Sequence, residues 1–392
     1  MINGRMKIAF VHNTLAVGGI ERSLASLLDV LDYDLLDVDL YIMTSNSTLL
    51  SEINSHVNVI FQVHNIEKFL SKRKESATNH YIICLLELIL KSYRRIIRFG
   101  LGIKLFRNAV LGKPIKKQYD AVFAADQGIV HCFAIEKLFS SNKYAFYHDG
   151  SIAKFEKSIR TFSLFDGIIV VSHEQRHLIA SQYPELLDMM IVVHNIVPQK
   201  NIINLSLNDD VDALFPDNQI CIVSCGRLYF DKGFDIAVDA ANLLVEKYER
   251  SFIWYILGEG REKKHLEKRI RQLELQNHII LLGSKVNPYP YIRKCDLYVQ
   301  PSRIESFGIS MVEAQILGKV VVATSTIGAK EVIQDGATGI LCDIDSKDLA
   351  AKVHNVMCNR DLYQNILKTL DAAEFDSRNY EALQIFYDIL KL

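Results

Sequence analysis

Residues 298–314 read Y-V-Q-P-S-R-I-E-S-F-G-I-S-M-V-E-A. The stretch begins with an apolar strand-like run, breaks at Pro301 and Ser302, and continues as a helical pattern. A buried strand, a short break and a helix form the unit from which parallel α/β sheets are built. The stretch therefore predicts a βα unit whose helix begins beside the carboxyl end of its strand.

The same alternation of β-branched runs and helical stretches extends in both directions from this unit. Further strands are predicted in the second half of the chain at 221–226, 252–258, 278–283, 296–300, 320–324 and 339–343. In the first half they are predicted at 7–12, 38–43, 57–61, 121–125, 144–148, 167–172 and 190–194. Residues 196–218 lose this periodicity, contain two prolines, and are predicted to be a linker. The pattern favours an α/β fold with two Rossmann-like domains facing each other across a cleft.

Composition and charge exclude several classes of protein. The 392 residues carry a formal net charge of -1, which argues against a nucleic-acid-binding protein. The seven cysteines include no C-x-x-C pair and mostly lie in apolar runs, as reduced thiols of a cytoplasmic protein do. The N-terminus lacks the layout of a signal peptide, and residues 1–5 are expected to lie outside the fold. The apolar run at 81–90 is about half the length that a membrane-spanning helix needs, so no membrane span is predicted.

The break in the opening stretch is a candidate binding site. Ser306, Phe307, Gly308 and Ile309 are predicted to form the first turn of the helix, and the free amides of such a turn favour an anion. Glu305 precedes the turn, while Glu313 lies about one turn inside the helix. Two carboxylates would repel a pyrophosphate unless they bind hydroxyl groups, so the pattern points to a sugar nucleotide.

Three other stretches also lie at carboxyl ends of predicted strands, where ligands of such sheets bind. Arg227 and Lys232 lie on one loop, where a planar guanidinium and a flexible ammonium group suit two adjacent phosphates. A pair of solvated surface charges would have the same sequence pattern. Gly18 and Gly19 allow close approach of backbone amides to a ligand, although a plain turn needs glycines as well. His148 in Y-H-D-G faces the predicted cleft, where it is either a ligand to a sugar or phosphate oxygen or a structural histidine.

A zinc-protease pattern, H-E-x-x-H, occurs at His173, Glu174 and His177. It directly follows the predicted strand 167–172, and Ser172 with Gln175 forms an S-x-x-Q capping box that starts a helix. No downstream pattern supplies a third ligand. We therefore predict a capped helix start with no functional zinc on these three residues and keep a metalloprotease as a minor alternative.

The E-S-F-G-I-S-M-V-E stretch, with glutamates eight positions apart, resembles the E-x7-E signature of retaining glycosyltransferases of family 4, which have the GT-B fold. The resemblance extends to G-G-I-E near the start, G-R-L with D-K-G-F-D, L-G-E-G at 257–260, and G-A-K-E-V-I-Q-D-G-A-T-G-I-L at 328–341. It is strong over nearly the whole second domain and covers the first in outline. It implies a first domain of residues 1–197 joined by a returning C-terminal helix at 375–392, and a second, nucleotide-sugar-binding domain of residues 198–374.

By position, the resemblance implies a role for each candidate residue. Those expected to bind the donor diphosphate are Gly18, Gly19, Arg227 and Lys232. Glu313 is expected to bind the ribose, the main chain near Val286 the base, and the turn Ser306, Phe307, Gly308 and Ile309 the sugar and phosphate. Glu305 and His148 are expected beside the transferred sugar, with Glu305 positioning it rather than attacking it. Fixed cations and helix dipoles would stabilise the leaving diphosphate, so no metal or other cofactor is expected.

The region between Glu87 and Asp120 contains no acidic residue, and its many Lys and Arg residues, including Arg94, Arg95 and Arg98, alternate with apolar residues. A basic amphipathic surface of this kind favours an anionic membrane, although a solvated helix face has the same composition. The membrane interpretation predicts a peripheral protein on the inner face of the cell membrane. Its acceptor would be a lipid-linked saccharide or glycan in capsule or lipopolysaccharide synthesis.

The predicted activity is that of a hexosyltransferase that moves a hexose or N-acetylhexosamine from a nucleotide sugar, with UDP as the favoured nucleotide. The principal alternative is a non-catalytic GT-B relative that stabilises a partner transferase, although the residues expected to bind the donor are all present. An NAD-dependent oxidoreductase would need G-x-G-x-x-G after the first strand, where this chain has A-V-G-G-I-E. The sugar, the base, the acceptor and the linkage are not readable from the residues.

Overall fold

The structure is a computed structural model that describes residues 4–16, 18–45, 48–62, 111–208, 211–248 and 251–392. Its strands are β1 Met6–His12, β2 Leu36–Ile42, β3 Asn58–Phe61, β4 Gln118–Tyr119, β5 Ala121–Ala124, β6 Phe139–Ser140, β7 Lys143–Tyr147, β8 Gly167–Val170, β9 Met190–Val192, β10 Ile220–Cys225, β11 Phe252–Leu257, β12 Ile279–Gly283, β13 Leu297–Gln300, β14 Val320–Thr324 and β15 Ile340–Cys342. Each strand predicted from the sequence is present, and β4 and β6 form an additional two-stranded ladder.

The helices fill the connections between the strands. They are α1 Gly19–Val30, α2 Ile129–Lys137, α3 Ile152–Glu156, α4 Ile159–Phe162, α5 His173–Gln182, α6 Gln199–Leu205, α7 Phe234–Glu246, α8 Lys263–Gln272, α9 Tyr289–Lys294, α10 Ile309–Ile316, α11 Ile327–Val332, α12 Ser346–Cys358, α13 Arg360–Asp371 and α14 Phe375–Leu390. Short 3-10 turns lie at Leu50–Glu52, Pro184–Met189, Asp212–Leu214 and Phe230–Lys232.

The first sheet has seven parallel strands in the order β3-β2-β1-β5-β7-β8-β9. Both of its faces are covered, because Ile8 and Phe10 of β1 pack into one apolar cluster while Ala9 and Val11 pack into the cluster on the other side. This two-sided burial explains why β1 reads as a continuous apolar run rather than as an alternating one.

The second sheet has six parallel strands in the order β12-β11-β10-β13-β14-β15. In both sheets the chain first adds strands on one side of its opening strand and then continues on the other side. Ligands of such sheets bind at this reversal, beyond the carboxyl ends of the strands. The reversals lie between β1 and β5 and between β10 and β13, so each domain offers a binding position there. Together these features form the GT-B architecture, as predicted.

The predicted linker at 196–218 contains the helix α6, which the sequence pattern did not indicate. Ile202 is only 1% exposed and packs into the core of the second sheet. A helix of seven residues is too short to show a clear apolar periodicity and is marginal alone, so tertiary packing decides that it forms.

The C-terminal helix α14 joins the cores of the two sheets. Phe375 at its start packs into the core of the second sheet, while Phe386 packs into that of the first. The Phe386 ring lies 4.9 Å from that of Phe123 and 6.1 Å from that of Phe10, measured between centroids. The helix therefore links the core of the second sheet to that of the first.

No helix among the described residues is both long enough and apolar enough to cross a bilayer. The apolar run at 81–90 and the residues Arg94, Arg95 and Arg98 lie outside the described residues. Of the same basic region, Lys113 and Lys116 are exposed. Lys117 is instead half-buried, with its Nζ 2.7 Å from a carboxylate oxygen of the buried Asp39. Lys117 therefore has a structural partner and is not part of a free basic surface.

Candidate active site

A cleft of about 450 Å³ lies between the domains where the loops after β1, β10 and β13 meet. Among the predicted site residues that the structure describes, all but Val286 line it, namely Gly18, Gly19, His148, Arg227, Lys232, Glu305, Ser306, Phe307, Gly308, Ile309 and Glu313. The strand-end positions explain this convergence, because parallel strands end at the same edge of a sheet. The structure thus brings together residues from four separate stretches of sequence.

Glu305 is held by polar groups of the loop after β13. One of its carboxylate oxygens lies 2.5 Å from Nζ of Lys232 and accepts hydrogen bonds from Ser302 Oγ at 2.8 Å and Gln300 Nε2 at 3.2 Å. Glu305 and Lys232 both line the cleft, and the side chains of Gln300 and Ser302 are fully buried. The contacts orient the Glu305 carboxylate beside the Lys232 ammonium group, which could also bind a diphosphate.

The turn before α10 presents backbone amides to the cleft. Gly308 is the residue before the helix and has a φ of 81°, a conformation that favours glycine, and a Cβ there would lie 2.0 Å from Cε of Met311. The amides of the first helical turn have no partner within the helix, and the helix dipole adds a partial positive charge. The turn can therefore bind an anion.

Glu313 lies deeper in the cleft and is only 6% exposed. Its Oε1 accepts a hydrogen bond of 2.8 Å from the hydroxyl of Tyr289. Burial raises the pKa of Glu313, an effect opposed by the nearby guanidinium of Arg22 and by the Tyr289 hydrogen bond. Glu313 is thus a buried carboxylate whose charge depends on a residue from the other domain.

Arg22 is the main site residue that the sequence did not single out, although it directly follows the G-G-I-E stretch. From α1 it reaches across the cleft and donates a hydrogen bond of 2.5 Å to the carbonyl oxygen of Val286. The Val286 side chain is 67% exposed and does not line the cleft, whereas its neighbours Ser284 and Lys285 do. Arg22 therefore connects the first domain to the segment predicted to bind the base.

His148 lies at the end of β7 with its ring stacked on that of Phe146, at a centroid distance of 5.3 Å. Burial and the proximity of His12 lower the pKa of His148 to about 3, so the ring is neutral at physiological pH. A neutral imidazole can donate one hydrogen bond and accept another, but it brings no charge to the cleft. The His148 carbonyl accepts a 2.5 Å hydrogen bond from Ser306 Oγ, which joins the two domains at this point.

Further contacts hold the domains together around the cleft. Ser172 Oγ donates to the carbonyl of Ser306 at 2.8 Å, and a Cβ added to Gly150 would lie 2.7 Å from the carbonyl oxygen of Glu305. Lys154, which sequence reasoning missed, lies 2.8 Å from Asp149 of its own domain and 3.1 Å from Asp231 of the other. In the sequence, the feature that could have indicated Lys154 is its position a few residues after Y-H-D-G, at the end of a predicted strand.

The exposed Arg227 lies on the open side of the cleft, with its guanidinium 5.5 Å from the ring centroid of Tyr229. Lys232 lies on the same loop but is engaged by Glu305. The two cations predicted to act together therefore differ in their surroundings, one paired with a carboxylate and the other stacked over an aromatic ring.

The H-E-x-x-H stretch forms a helix start, as predicted. The Ser172 hydroxyl accepts a hydrogen bond of 3.1 Å from the amide of Gln175, and the Gln175 side-chain oxygen accepts one of 2.9 Å from the amide of Val171. His177 does not belong to the group of potential metal ligands that the described residues bring together. The metalloprotease alternative is therefore not supported.

Comparison with known proteins finds a family similar to the second domain. Residues 206–369 match the family described as Glycosyl transferases group 1. A Campylobacter jejuni N-acetylgalactosamine-N,N'-diacetylbacillosaminyl-diphospho-undecaprenol 4-alpha-N-acetylgalactosaminyltransferase is 31% identical over 43% of this chain and 45% of its own length. A Staphylococcus aureus poly(ribitol-phosphate) alpha-N-acetylglucosaminyltransferase is 27% identical over 69% of this chain and 53% of its own length. The chain thus spans about half the length of these curated relatives.

The fold matches solved structures over almost its full length. Anabaena Alr3699/HepE in complex with UDP and glucose superposes with a TM-score of 0.69 at 18% sequence identity, covering 98% of this chain and 100% of that one. At this identity the likeness shows the shared fold.

Proposed function

Because residues 206–369 match the family described as Glycosyl transferases group 1, we propose that this chain transfers a hexose or N-acetylhexosamine from a nucleotide sugar to a saccharide acceptor in cell-surface polysaccharide synthesis. The observation that carries the proposal is the convergence of Lys232, Glu305, Glu313 and the amide turn before α10 on one interdomain cleft. Cations and amides at one end of a donor, with carboxylates for its hydroxyl groups, match the chemistry of a sugar nucleotide.

We assign the donor diphosphate to Arg227, Lys232 and the amides of residues 307–309, with the Gly18-Gly19 loop approaching from the other domain. The diphosphate would share Lys232 with Glu305, which lies 2.5 Å from it. A charge-assisted contact of this kind contributes roughly 1.5–3 kcal/mol. These groups interact more strongly with the diphosphate as it gains negative charge on leaving. They would therefore stabilise the transition state without a metal ion.

The ribose, the base and the transferred sugar of the donor are assigned to other residues in or beside the cleft. Glu313, buried and oriented by Tyr289, is assigned to the ribose hydroxyls, and the main chain near Val286 to the base. Glu305 is assigned to hydroxyls of the transferred sugar. The neutral His148 would hydrogen-bond the sugar beside it, because its lowered pKa prevents it from acting as a cation there.

We propose retention of the anomeric configuration. The acceptor hydroxyl would attack the anomeric carbon on the face that the diphosphate leaves, the glycosidic bond to phosphate would break, and the departing phosphate oxygen would take the acceptor proton. Glu305 is bonded to Lys232, Ser302 and Gln300, which supports a positioning role rather than that of a nucleophile. A UDP-sugar is the favoured donor, since the HepE relative binds UDP and glucose.

The acceptor is proposed to be a lipid-linked saccharide or a glycan. The Campylobacter relative is named for a diphospho-undecaprenol-linked acceptor and the Staphylococcus relative for poly(ribitol-phosphate). An acceptor held at a membrane would also explain the basic composition of residues 88–117. We therefore propose peripheral attachment to the inner face of the cell membrane.

A screen of sugar nucleotides tests the proposal. We expect one UDP-sugar to raise the melting temperature and to be hydrolysed slowly. Hydrolysis should continue in the presence of EDTA. NMR should show that the released sugar first has the anomeric configuration of the donor. The Lys232→Ala variant is the control for site-specific stabilisation. If no sugar nucleotide stabilises the protein or is hydrolysed, the chain is a non-catalytic relative.

A further inference from the structure

Three potential metal ligands meet at the domain interface outside the cleft. His173 opens α5, His194 follows β9, and Glu331 lies on α11 of the second domain. One ligand atom from each lies within 4.8 Å of the other two. None of the three lines the cleft, so the group is separate from the proposed donor site.

Two of these side chains already have fixed positions. Nε2 of His194 lies 2.7 Å from Oε1 of Glu331, and the side chains of these residues are 21% and 8% exposed. The other Glu331 oxygen accepts a hydrogen bond of 3.2 Å from the amide of Glu174, at the start of α5. The carboxylate is therefore anchored on one side and directed at His194 on the other.

The third side chain is free to adjust. His173 is exposed, and its ring meets that of His194 edge-on at a centroid distance of 5.4 Å. Within the described part of the chain nothing hydrogen-bonds the His173 ring, so its nitrogens are open to a ligand. A small rotation at this helix start is enough to change its distance from the other two groups.

We propose that His173, His194 and Glu331 bind a divalent transition metal ion of the zinc class that joins the two domains. This ligand set shares only His173 with the H-E-x-x-H stretch, so it revises the expectation of no functional zinc for His173 alone. Two imidazoles and one carboxylate form a ligand set typical of zinc, and the fourth position would hold water. Ligand atoms of tetrahedral zinc are separated by about 3.3 Å, given metal–ligand bonds near 2.0–2.1 Å. The 2.7 Å His194–Glu331 pair needs to open slightly, and the 4.8 Å limit on the other separations is within reach of a His173 rotation.

The position of the site explains what the metal would do. The His194 ring lies 5.5 Å from that of Phe307, which lines the cleft. The amide of Gly328, on the same helix as Glu331, donates to the carbonyl of Glu305 at 3.0 Å. A metal that holds Glu331 to the first domain would therefore fix the domain arrangement beside the donor site without taking part in transfer.

Zinc titration of metal-free protein against a chromophoric chelator tests the site. We expect one equivalent of zinc to bind and to raise the melting temperature, because a ligand of the folded state stabilises it. His173→Ala should weaken binding at least about tenfold and abolish the thermal shift, since it removes one of three ligands. His177→Ala is the matched control, as it removes an exposed histidine of the same helix that lies outside the group.

The competing zinc ligands are cysteines, especially the exposed Cys358, whose Sγ lies 3.8 Å from a ring nitrogen of His354. The titration is therefore made in a Cys358→Ser background and repeated with Co²⁺. Histidine and carboxylate ligands give only weak visible bands, whereas a thiolate adds an intense charge-transfer band. The proposal is overturned by a thiolate band, by the absence of stoichiometric binding, or by equal affinity of the His173→Ala and His177→Ala variants.

Discussion

The contact between Lys232 and Glu305 places the proposed binding groups for the diphosphate and for the sugar of the donor side by side. The cation lies 2.5 Å from the carboxylate, and Ser302 and Gln300 hold the same oxygen. A diphosphate approaching Lys232 would draw the donor sugar towards Glu305. In the proposed donor complex, the pair would therefore couple phosphate binding to sugar placement.

The Lys232→Ala substitution should lower donor affinity about tenfold or more, because it removes a charge-assisted contact worth roughly 1.5–3 kcal/mol. Isothermal titration with the nucleoside diphosphate and with the intact donor measures the loss. Lys264→Ala, which removes an exposed lysine of α8, is the control and should bind normally. Unchanged titrations for both the Lys232→Ala and Arg227→Ala variants would show that the diphosphate binds elsewhere.

Arg22 opposes the rise that burial causes in the pKa of Glu313, and the pH dependence of donor affinity can test this. Burial raises the pKa of Glu313 and Arg22 opposes that rise, so removing the guanidinium should raise it further. Donor affinity should fall as pH drops through this pKa, since a protonated carboxyl accepts ribose hydroxyls less well. The acidic limb of donor affinity should therefore move to higher pH in Arg22→Ala and stay near its original position in Arg22→Lys. An acidic limb that is the same in all three proteins would contradict this coupling.

Among the secondary-structure elements, α10 begins at the cleft, whereas α14 packs against the cores of the two sheets. The turn before α10 presents amides to the cleft, and its geometry depends on Gly308 at a φ of 81°. Helix α14 instead contributes apolar residues to the cores of both sheets, from Phe375 to Phe386. The start of α10 is thus proposed to bind the donor, while α14 packs against the cores of both sheets.

Gly308→Ala should reduce both stability and donor affinity. The left-handed conformation costs an alanine about 1–2 kcal/mol, and the added Cβ would lie 2.0 Å from Met311 Cε, which displaces the turn. Gly318→Ala, at a φ of 67° after the same helix with nothing within 4 Å of the added Cβ, isolates the conformational cost. Thermal melting should fall by a few degrees in both variants, whereas donor titration should weaken only in Gly308→Ala. Equal donor affinity in the two variants would show that the amide turn does not bind the donor.

In the molecule as a whole, the contacts between the domains surround the cleft on several sides. Arg22 reaches Val286, Lys154 bridges Asp149 and Asp231, and Ser306 bonds the carbonyl of His148. These contacts are polar and involve loops or helix starts, and they add to the apolar packing of α14 against the cores of both sheets. The cleft is thus lined by residues of both domains, and the proposed donor site needs both.

The basic region at 88–117 should direct the whole protein to anionic membranes. Each well-placed cation contributes about 1 kcal/mol near such a surface, and screening over about 10 Å at 0.1 M salt should weaken the binding as salt rises. We expect sedimentation with anionic vesicles, much less with neutral ones, and reduced binding of the Arg94→Gln, Arg95→Gln, Arg98→Gln triple variant with donor hydrolysis intact.

The matched control removes three exposed cations of α8 by Lys264→Gln, Lys268→Gln and Arg271→Gln. It changes the net charge by the same amount but on the second domain, so vesicle binding should be kept. Equal binding to neutral and anionic vesicles, or normal binding of the arginine triple variant, would show that the region is a solvated surface.

The local pattern of residues was sufficient for the two-sheet fold and most of the cleft. Strand periodicity and strand ends are properties of neighbouring residues, so Lys232, Glu305, Gly308 and Glu313 could be placed at one edge of a sheet before the structure was known. The Ser172 helix cap was predictable for the same reason, because its partners are three or four residues away.

Only tertiary packing could decide the contacts between distant residues. Arg22 and Val286 are 264 positions apart, and His194 and Glu331 are 137 apart, so no local pattern links them. The short helix α6 likewise forms because Ile202 packs into the second core. These features depend on how two independently patterned domains face each other. That orientation depends on the polar contacts around the cleft and on the apolar packing of α14 against both cores, and contacts between distant residues leave no periodic signal along the chain.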